Sequence, residues 1–339
     1  MGPGDRSTGL DDVTVAFGDG PPALRGVTLL AEPGEVLAVV GPSGCGKTTA
    51  LRAVAGLETV RTGRVVVAGR DVTRVPTPRR DIVMVFQPGT LSPFLDVAVS
   101  LARAVEVRAA PRRRRSPGPA AFLLDEPLAR LDAVERARTR RTIVDLVRQS
   151  GVSALYVTHD LIEAMAVGDR LAVLRDGEVV QIDTPRRLYE CPIDTFVARF
   201  VGAPEIGLLP ARLVSSPSGA GFRVGERTLP LWGPAPDGLD AGVRVVLGLR
   251  AEDVGESGPG ADPGSVTVRV LVRHVELRGR DAVVTAEVDV AGEADGGRLV
   301  ARVDPRTRLR PGDRAELAVD ARRAHVFDVD GRALRHPPA

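Results

Sequence analysis

The stretch Gly41-Pro-Ser-Gly-Cys-Gly-Lys-Thr-Thr49 decides the interpretation of this sequence, because it fits Gly-x-x-x-x-Gly-Lys-[Ser/Thr]. In such a loop the backbone N–H groups cradle phosphates, the lysine reaches the β and γ oxygens, and the next hydroxyl binds Mg²⁺. Lys47 is the only lysine of the chain. A compact ammonium is not interchangeable with a flat guanidinium, so its retention here favours a phosphate-binding loop over a chance match. The candidate phosphate-binding residues are Gly41, Pro42, Ser43, Gly44, Cys45, Gly46, Lys47, Thr48 and Thr49.

The residues on either side of this loop have the pattern that the motif requires. Residues 36–40 form an apolar run that leads into the loop, and residues 48–55 continue as a predicted helix. Further strands are predicted at residues 10–17, 27–31, 65–68, 82–86, 122–124 and 154–157, and a helix at 133–148. Strands that alternate with helices predict an α/β fold around a parallel sheet.

The pattern changes after Gly202. Short alternating strands follow at residues 243–249, 266–275, 282–290, 299–303 and 315–319, separated by turn sequences such as Pro-Gly-Asp. This pattern predicts a small β-barrel or sandwich. We therefore expect two domains, residues 1–202 and residues 203–339.

The bulk composition excludes several classes of protein. The 339 residues carry a formal net charge of +2 and two cysteines, so neither strong nucleic-acid attraction nor a disulfide framework is predicted. No segment approaches the ~18 apolar residues of a membrane span, and the N-terminus has no apolar signal core. We expect a soluble, intracellular chain that reaches a membrane only through a partner.

Four polar residues that follow predicted strands are candidates for hydrolytic chemistry. Asp125 and Glu126 end the apolar strand of Phe122-Leu-Leu-Asp-Glu-Pro127, where the first can hold Mg²⁺ and the second can polarise an attacking water. Gln87 follows the strand at 82–86 and can reach the metal and the water. His159 follows the strand at 154–157, where an imidazole can contact a γ-phosphate, although alone it is more readily a structural residue.

Phe17 closes the first predicted strand. Stacking on an adenine ring and ordinary core packing are equally good interpretations of it.

In this order the motifs resemble those of the ATP-binding cassette (ABC) ATPases. Residues 41–49 resemble their Walker A motif, Phe86-Gln87 the Q-loop, residues 122–127 Walker B, residues 128–132 the D-loop and Thr158-His159 the switch histidine. The resemblance implies ATP and Mg²⁺ as cofactors, with Thr48, Gln87 and Asp125 at the metal. It also implies Glu126, His159 and Gln87 as catalytic residues, and Phe17 and Asp132 as nucleotide contacts.

Further segments are similar to the ATPases of carbohydrate importers. These are Gln181-Ile-Asp-Thr-Pro185, Leu188-Tyr-Glu-Cys-Pro192, Phe196-Val-Ala-Arg-Phe-Val-Gly202, Gly248-Leu-Arg-Ala-Glu-Asp253 and Ala324-His-Val-Phe-Asp328. This similarity implies a C-terminal regulatory oligomer-binding-type (TOBE/MOP-like) β-domain. It also implies a peripheral place on the cytoplasmic membrane face, membrane permease subunits, an extracytoplasmic solute-binding protein, and a homodimer or heterodimer of ATPases.

The sequence departs from the family pattern at one place. Only 38 positions separate Gln87 from Asp125, fewer than family members carry there, and no Gly-Gly-Gln occurs anywhere. The helical subdomain with its Leu-Ser-Gly-Gly-Gln signature is therefore expected to be shortened near residues 95–119, with the lost block near Ser116-Pro117. In this family the signature of one subunit caps the phosphates on the other, so a homodimer would lack both caps.

Several functions stay open at this point. The first is an importer ATPase, and the second is a cassette that binds nucleotide but hydrolyses it poorly, alone or beside an intact partner. A nucleic-acid-binding protein is a remote third, because the aromatics beyond Gly202 are few, and the basic run Arg112-Arg-Arg-Arg115 reads best as a solvated face. A small-molecule kinase is disfavoured, because the Asp125, Glu126 and His159 series positions water rather than an acceptor hydroxyl.

Overall fold

The computed structural model describes residues 6–85, 119–216, 219–230, 240–258, 264–288 and 297–337. The chain separates into two compact units, residues 1–185 and residues 186–339. The predicted boundary at 202/203 lies 17 residues after the division at 185/186, because the structure groups residues 186–202 with the second unit.

The first unit alternates strands and helices, as predicted. Its described strands are β1 Thr8–Val15, β2 Leu24–Ala31, β3 Val36–Val40, β4 Thr62–Val67, β5 Arg70–Asp71, β6 Ile82–Val85, β7 Ala121–Asp125, β8 Ser153–Val157, β9 Arg170–Arg175 and β10 Glu178–Asp183. Its described helices are α1 Lys47–Ala55, α2 Ala133–Ser150 and α3 Leu161–Val167, with a 3₁₀ turn at Thr77–Arg79.

The strands of the first unit form two sheets. An antiparallel sheet has the order β2-β1-β4-β5, and a second sheet has the order β10-β9-β3-β8-β7-β6. In the second sheet the pairs β6–β7, β7–β8, β8–β3 and β3–β9 are parallel, and only β10 runs antiparallel. The predicted α/β fold with a parallel core is therefore confirmed. The carboxyl ends of β3, β7 and β8 lie side by side, which is where a parallel sheet binds ligands.

Local sequence explains these elements. Each of β3, β7 and β8 is a five-residue strand with every residue buried, as expected for strands covered on both faces. Asp132 caps the N-terminus of α2, where its carboxylate accepts from the N–H groups of Val134 and Glu135, and Gly151 with φ 66° caps the C-terminus. A left-handed glycine, Gly56 with φ 76°, likewise caps the C-terminus of α1.

The second unit is an antiparallel β-domain with two short helices. Its described helices are α4 Pro185–Glu190, whose first residue closes the first unit, and α5 Thr195–Phe200, with 3₁₀ turns at Ala251–Asp253 and Ala321–Arg323. Its described strands are β11 Gly207–Ser216, β12 Gly219–Val224, β13 Arg227–Pro230, β14 Arg244–Leu249, β15 Val254–Glu256, β16 Val266–Leu277, β17 Ala282–Val288, β18 Arg298–Val303, β19 Arg314–Val319, β20 His325–Phe327 and β21 Ala333–Arg335.

One sheet contains all eleven of these strands. Its main path is β15-β19-β16-β17-β18-β11-β14-β20-β21. Off this path, β12 pairs with β11 and with β13. Alternate residues such as Leu209, Ala211 and Leu213 point into one apolar core. The predicted all-β C-terminal region is confirmed. Across the described ranges, no helix is long and apolar enough to cross a membrane.

Candidate nucleotide site

The loop between β3 and α1 holds its lysine by main-chain contacts. Lys47 Nζ donates to the carbonyl oxygens of Gly41 and Pro42, at 2.9 and 2.8 Å, and lies 3.7 Å from Cys45 Sγ. The side chain is buried, with 9% of its surface exposed. The ammonium therefore lies against the loop backbone, where the predicted phosphate site requires a positive charge.

Two glycines of the loop are required by its geometry. Gly41 has φ 154°, and a Cβ there would lie 2.2 Å from the carbonyl oxygen of Leu174. Gly46 has φ 105°, and a Cβ there would lie 2.7 Å from the carbonyl oxygen of Ala23. Both positions therefore exclude any side chain, by conformation and by space.

The loop leads into a helix N-terminus suited to an anion. Gly46 caps α1 without a side chain, and the first turn of the helix contains no acidic residue. Pro42, Ser43 and Gly44 are exposed, whereas Thr48 and Thr49 are half-buried. The first N–H groups of a helix have no intrahelical acceptor and carry partial positive charge, so this end of α1 can bind phosphate oxygens.

Asp125 lies at the end of β7 beside this helix. Its Oδ1 is 3.5 Å from Thr48 Oγ1, and the side chain is buried. Burial and the neighbouring Glu126 carboxylate raise the pKa of Asp125, against the opposing effects of Arg52, Thr48 and Lys47. A buried carboxylate and a hydroxyl oxygen are hard ligands of the kind Mg²⁺ uses.

This pair fits Mg²⁺ only as part of a site shared with phosphates. Over the residues that the structure describes, no group of three or more His, Cys, Asp or Glu side chains is gathered in a way that could hold a metal. Mg²⁺ usually binds through one or two protein oxygens, substrate phosphates and waters, and Thr48 with Asp125 supplies that small protein share.

Glu126 and His159 meet at the ends of two neighbouring strands. His159 Nδ1 lies 3.0 Å from Glu126 Oε1. The side chain of His159 is 66% exposed and that of Glu126 is 20% exposed. Glu126 has φ 47°, an uncommon backbone conformation for a residue other than glycine, and its N–H donates to the carbonyl of Val157 at 2.9 Å. Strain of this kind clusters at functional sites.

The turn that carries His159 is fixed on both sides. Thr158 Oγ1 accepts from the N–H of Asp160 at 3.1 Å, and Asp160 caps α3 by accepting from the N–H of Glu163 at 3.0 Å. The Glu163 carboxylate in turn accepts a 2.7 Å hydrogen bond from the hydroxyl of Tyr156, and both side chains are buried. Burial, with Glu163 beside it, raises the pKa of Tyr156. His159 is therefore presented from a rigid strand–turn–helix.

The remaining predicted residues differ in their placement. Phe17 lies in the loop after β1 and is 53% exposed, so the core-packing interpretation is wrong and the side chain is available for stacking. Asp132 Oδ1 accepts from the N–H groups of Val134 and Glu135, at 2.9 and 2.8 Å, which gives this residue a structural task as helix cap. Gln87 lies outside the described residues.

Sequence reasoning missed Arg80. Its guanidinium is buried and donates to the carbonyls of Ala53 and Val54 at the end of α1, at 3.0 and 2.8 Å, and to those of Val75 and Thr73, at 2.8 and 3.2 Å. Burial lowers the pKa of Arg80. The arginine thus anchors the C-terminal end of the phosphate-loop helix, and no local pattern distinguishes it from the exposed Arg79.

Two family models match the chain. One described as ABC transporter matches residues 24–151, and one described as TOBE domain matches residues 247–327. A solved structure titled "Structure of ATP binding subunit of ABC transporter" aligns with 54% of this chain and 91% of its own, at 21% identity and a TM-score of 0.44.

Curated relatives match along almost the whole chain. The sn-glycerol-3-phosphate import ATP-binding protein UgpC of Cereibacter sphaeroides is 36% identical over 364 residues, covering 96% of this chain and 99% of that protein. The trehalose import ATP-binding protein SugC of Mycobacterium tuberculosis is 34% identical, covering 96% of this chain and 97% of that protein. With a phosphate loop, a buried carboxylate and a Glu–His pair at adjacent strand ends, this chain belongs to the ATP-binding proteins of ABC transporters, which are ATPases.

Proposed function

We propose that this chain is the ATP-binding subunit of an ABC importer that couples ATP hydrolysis to uptake of a carbohydrate-class solute. The relatives' names support import, and they differ in solute at nearly equal identity, so the proposal extends only to the class. The subunit would act on the cytoplasmic membrane face, with separate permease subunits and a solute-binding protein. Residues 1–202 would form the nucleotide-binding domain and residues 203–339 a regulatory β-domain.

The loop and its neighbours would hold the nucleotide. Residues 41–49 cradle the phosphates, with Lys47 moving from its loop carbonyls toward the β and γ oxygens. Phe17 would stack on the adenine, and Asp132, the cap of α2, would contact the nucleotide. Thr48, Asp125 and Gln87 would hold Mg²⁺, which when bound would neutralise charge on the phosphate oxygens.

The 3.0 Å contact between Glu126 Oε1 and His159 Nδ1 carries the hydrolytic part of this proposal. Glu126 would accept the proton of the attacking water, and His159 would orient that carboxylate and contact the γ-phosphate through its other nitrogen. Gln87 would complete the water site. The two strand ends are adjacent in the sheet because Asp125 pairs with Val157, so the dyad rests on rigid elements.

Equilibrium ATP binding with and without Mg²⁺ separates these roles. We expect Lys47→Ala to weaken binding in both conditions, and Asp125→Asn to remove the gain that Mg²⁺ supplies. Glu126→Gln should bind normally, because Glu126 acts on water rather than on the nucleotide. Arg138→Ala, on the exposed side of α2, is the control. Unchanged Mg²⁺ dependence in Asp125→Asn would contradict the metal assignment.

A second candidate function is a cassette that binds ATP but turns it over poorly by itself. The sequence lacks Gly-Gly-Gln. The alignment with UgpC spans 364 positions but uses 96% of 339 residues, so about 39 positions of the alignment have no residue of this chain. This total is close to the length expected for the absent signature-bearing block, and it supports the proposal that this chain supplies only its own side of the nucleotide site.

Turnover measurements distinguish the two functions. We expect the purified chain to bind Mg-ATP and hydrolyse it slowly, and an intact ABC ATPase that pairs with it to restore hydrolysis that depends on Glu126. Fast hydrolysis by the chain alone, abolished by Glu126→Gln, would refute the second function. Failure to pair with permease subunits from its own gene neighbourhood would refute the first.

Nucleic-acid binding gains no support from the β-domain. Beyond Gly202 the aromatic residues are Phe222, Trp232 and Phe327. Phe222 and Phe327 are buried, and Trp232 lies outside the described residues. Two core aromatics cannot form a stacking track for bases, so the expectation of no nucleic-acid partner stays a prediction.

A further inference from the structure

Arg136, near the start of α2, contacts two segments that border the candidate nucleotide site. Its Nη2 donates to the carbonyl oxygen of Leu131 at 3.2 Å, and its Nη1 lies 3.6 Å from Asp160 Oδ2. Leu131 belongs to residues 128–132, which resemble the D-loop, and Asp160 directly follows His159. One guanidinium group thus bridges the segment before α2 and the turn that carries His159.

The two carboxylate oxygens of Asp160 have separate contacts. Oδ1 accepts from the N–H of Glu163 at 3.0 Å and so caps α3, whereas Oδ2 faces Arg136. The N–H of Asp160 donates to Thr158 Oγ1 at 3.1 Å. Because Asp160 is bonded to residues on both sides of His159, a displacement of the Asp160 carboxylate would move the main chain that carries the imidazole.

His159 depends on the position of this main chain. Its side chain is 66% exposed, so packing does not fix the ring. The distance of 3.0 Å between His159 Nδ1 and Glu126 Oε1 is therefore set by where the turn lies. On the β8 side, the N–H of Glu126 donates to the carbonyl of Val157 at 2.9 Å and holds the carboxylate residue against the strand. Arg136 holds the turn from the side of α2.

The contacts of Arg136 contribute little to stability. Its 3.6 Å separation from Asp160 is too long for a hydrogen bond. The two side chains are 37% and 35% exposed, and an ion pair of that exposure is weak. Arg136 Nε is buried with no acceptor among the residues that the structure describes, and a buried unpaired donor is unfavourable. A local conflict of this kind is typical of a position that serves function rather than stability.

We infer that Arg136 is a positioning residue for hydrolysis, which bridges residues 128–132 to the turn of His159 and keeps His159 within hydrogen-bond reach of Glu126. This inference rests on the proposed roles of Glu126 and His159. Arg136 touches neither the phosphate loop nor Asp125 in the described part of the chain, so its loss should lower turnover and leave ATP affinity unchanged.

Nitrogen NMR of the histidine side chains in the full chain tests the bridge directly. The chain has four histidines, and His159→Gln identifies the signal of His159. We expect Glu126→Gln to shift the Nδ1 resonance of His159, because the hydrogen-bond partner loses its charge. Arg136→Gln and Asp160→Asn should shift the same resonance. The double variant should shift it no further than either single variant, because both substitutions break one contact.

Single-turnover hydrolysis, with protein in excess over Mg-ATP, gives the functional readout. We expect the rate to fall about tenfold to a hundredfold in Arg136→Gln, because a misplaced catalytic group loses its alignment with the reacting atoms. The dissociation constant for ATP and the urea midpoint should stay close to those of the wild type. Arg138→Gln removes the same charge from an exposed position of α2, and should change neither the resonance nor the rate.

The possible results separate this inference from the proposed function. A His159 resonance that does not respond to Glu126→Gln would contradict the Glu126–His159 pair itself, and the inference with it. If Glu126→Gln shifts the resonance but Arg136→Gln changes neither resonance nor rate, the pair stands and the bridge is refuted. A lower urea midpoint in Arg136→Gln with an unchanged resonance would make Arg136 a structural residue only, and would also overturn the inference.

Discussion

Arg250 is expected to hold the two helices of the second unit in place, and Arg250→Lys tests this directly. Its Nη1 donates to the carbonyls of Ala198 and Val201 at the end of α5, at 2.8 and 3.1 Å, and its Nη2 donates to the carbonyl of Tyr189 in α4 at 2.8 Å. The guanidinium carbon lies 3.9 Å from the centre of the Tyr189 ring. The side chain is 3% exposed, and burial lowers the pKa of Arg250.

The magnitude follows from what lysine cannot do. A single ammonium can reach the α5 carbonyls or the Tyr189 carbonyl, but it has no second nitrogen to span both helices. One or two charge-assisted hydrogen bonds to buried carbonyls are lost, each worth ~1.5–3 kcal/mol. Because Arg250 Nε has no partner within the described part of the chain, the wild type already carries one uncompensated cost. We expect a net loss of ~2–4 kcal/mol in the free energy of unfolding of the second unit.

Urea unfolding and hydrogen exchange measure the effect globally and locally. Exchange should accelerate over residues 185–201, where the N–H of Val201 bonds to the carbonyl of Val197 at 2.8 Å. Arg199→Lys is the control. Arg199 lies on α5, which Arg250 contacts, but its own side chain is half exposed and pairs with Glu205 at 3.2 Å. It should cost less than ~0.5 kcal/mol. If Arg250→Lys and Arg199→Lys have the same effect in both assays, Arg250 does not hold the two helices in place.

Three further changes have defined outcomes. Arg80→Lys should lower the free energy of unfolding of the first unit by ~2–4 kcal/mol, because one ammonium cannot donate to all four carbonyls. Arg79→Lys, on the exposed neighbour, should leave the stability unchanged. Equal urea midpoints for the two variants would contradict this expectation. Gly46→Ala should abolish ATP binding and destabilise the loop, because its φ of 105° and a 2.7 Å approach to a carbonyl exclude a methyl group; normal binding by titration would refute this. Burial and Glu252 raise the pKa of Asp253 to about 7. Its favourable contribution is thus full below pH 3.8 and lost as pH rises through about 7. The free energy of unfolding of Asp253→Asn should therefore rise relative to the wild type by up to ~4 kcal/mol as pH increases from about 4 to about 7, and a pH-independent difference would refute this.

The proximity of several candidate nucleotide-site residues could be predicted, because these residues follow strands that local pattern identifies. Buried apolar runs identified the strands at 36–40, 122–124 and 154–157, and a parallel sheet places the carboxyl ends of such strands at one edge. The proximity of Asp125 to Thr48, and of Glu126 to His159, follows from that topology. What the pattern could not decide was the environment of Phe17, since exposure after a strand depends on which elements cover it.

The roles of Arg80 and Arg250 could not be predicted, because they depend on contacts between residues that are far apart in the sequence. Arg80 bonds to residues up to 27 positions away, and Arg250 to Tyr189, 61 positions away. A chain whose basic residues are almost all arginine gives no compositional clue to a buried one. The same long-range contacts explain the domain division, because Arg250 binds α4 and α5 to the β-domain, whereas composition alone changes only after Gly202.

Topology also explains why a shortened segment can separate nucleotide binding from turnover. β6 is the edge strand of its sheet and pairs in parallel with β7, from Ile82 opposite Ala121 to Val85 opposite Leu124. Two parallel strands can be joined by a connection of about a dozen or more residues, so this pairing alone sets no upper limit on the length of the chain between them. The phosphate loop, Asp125, Glu126 and His159 follow β3, β7 and β8, and β8 pairs directly with both β3 and β7. Loss of a block between β6 and β7 would therefore leave the phosphate loop, Asp125, Glu126 and His159 in place, so we expect ATP binding to survive where unaided hydrolysis does not.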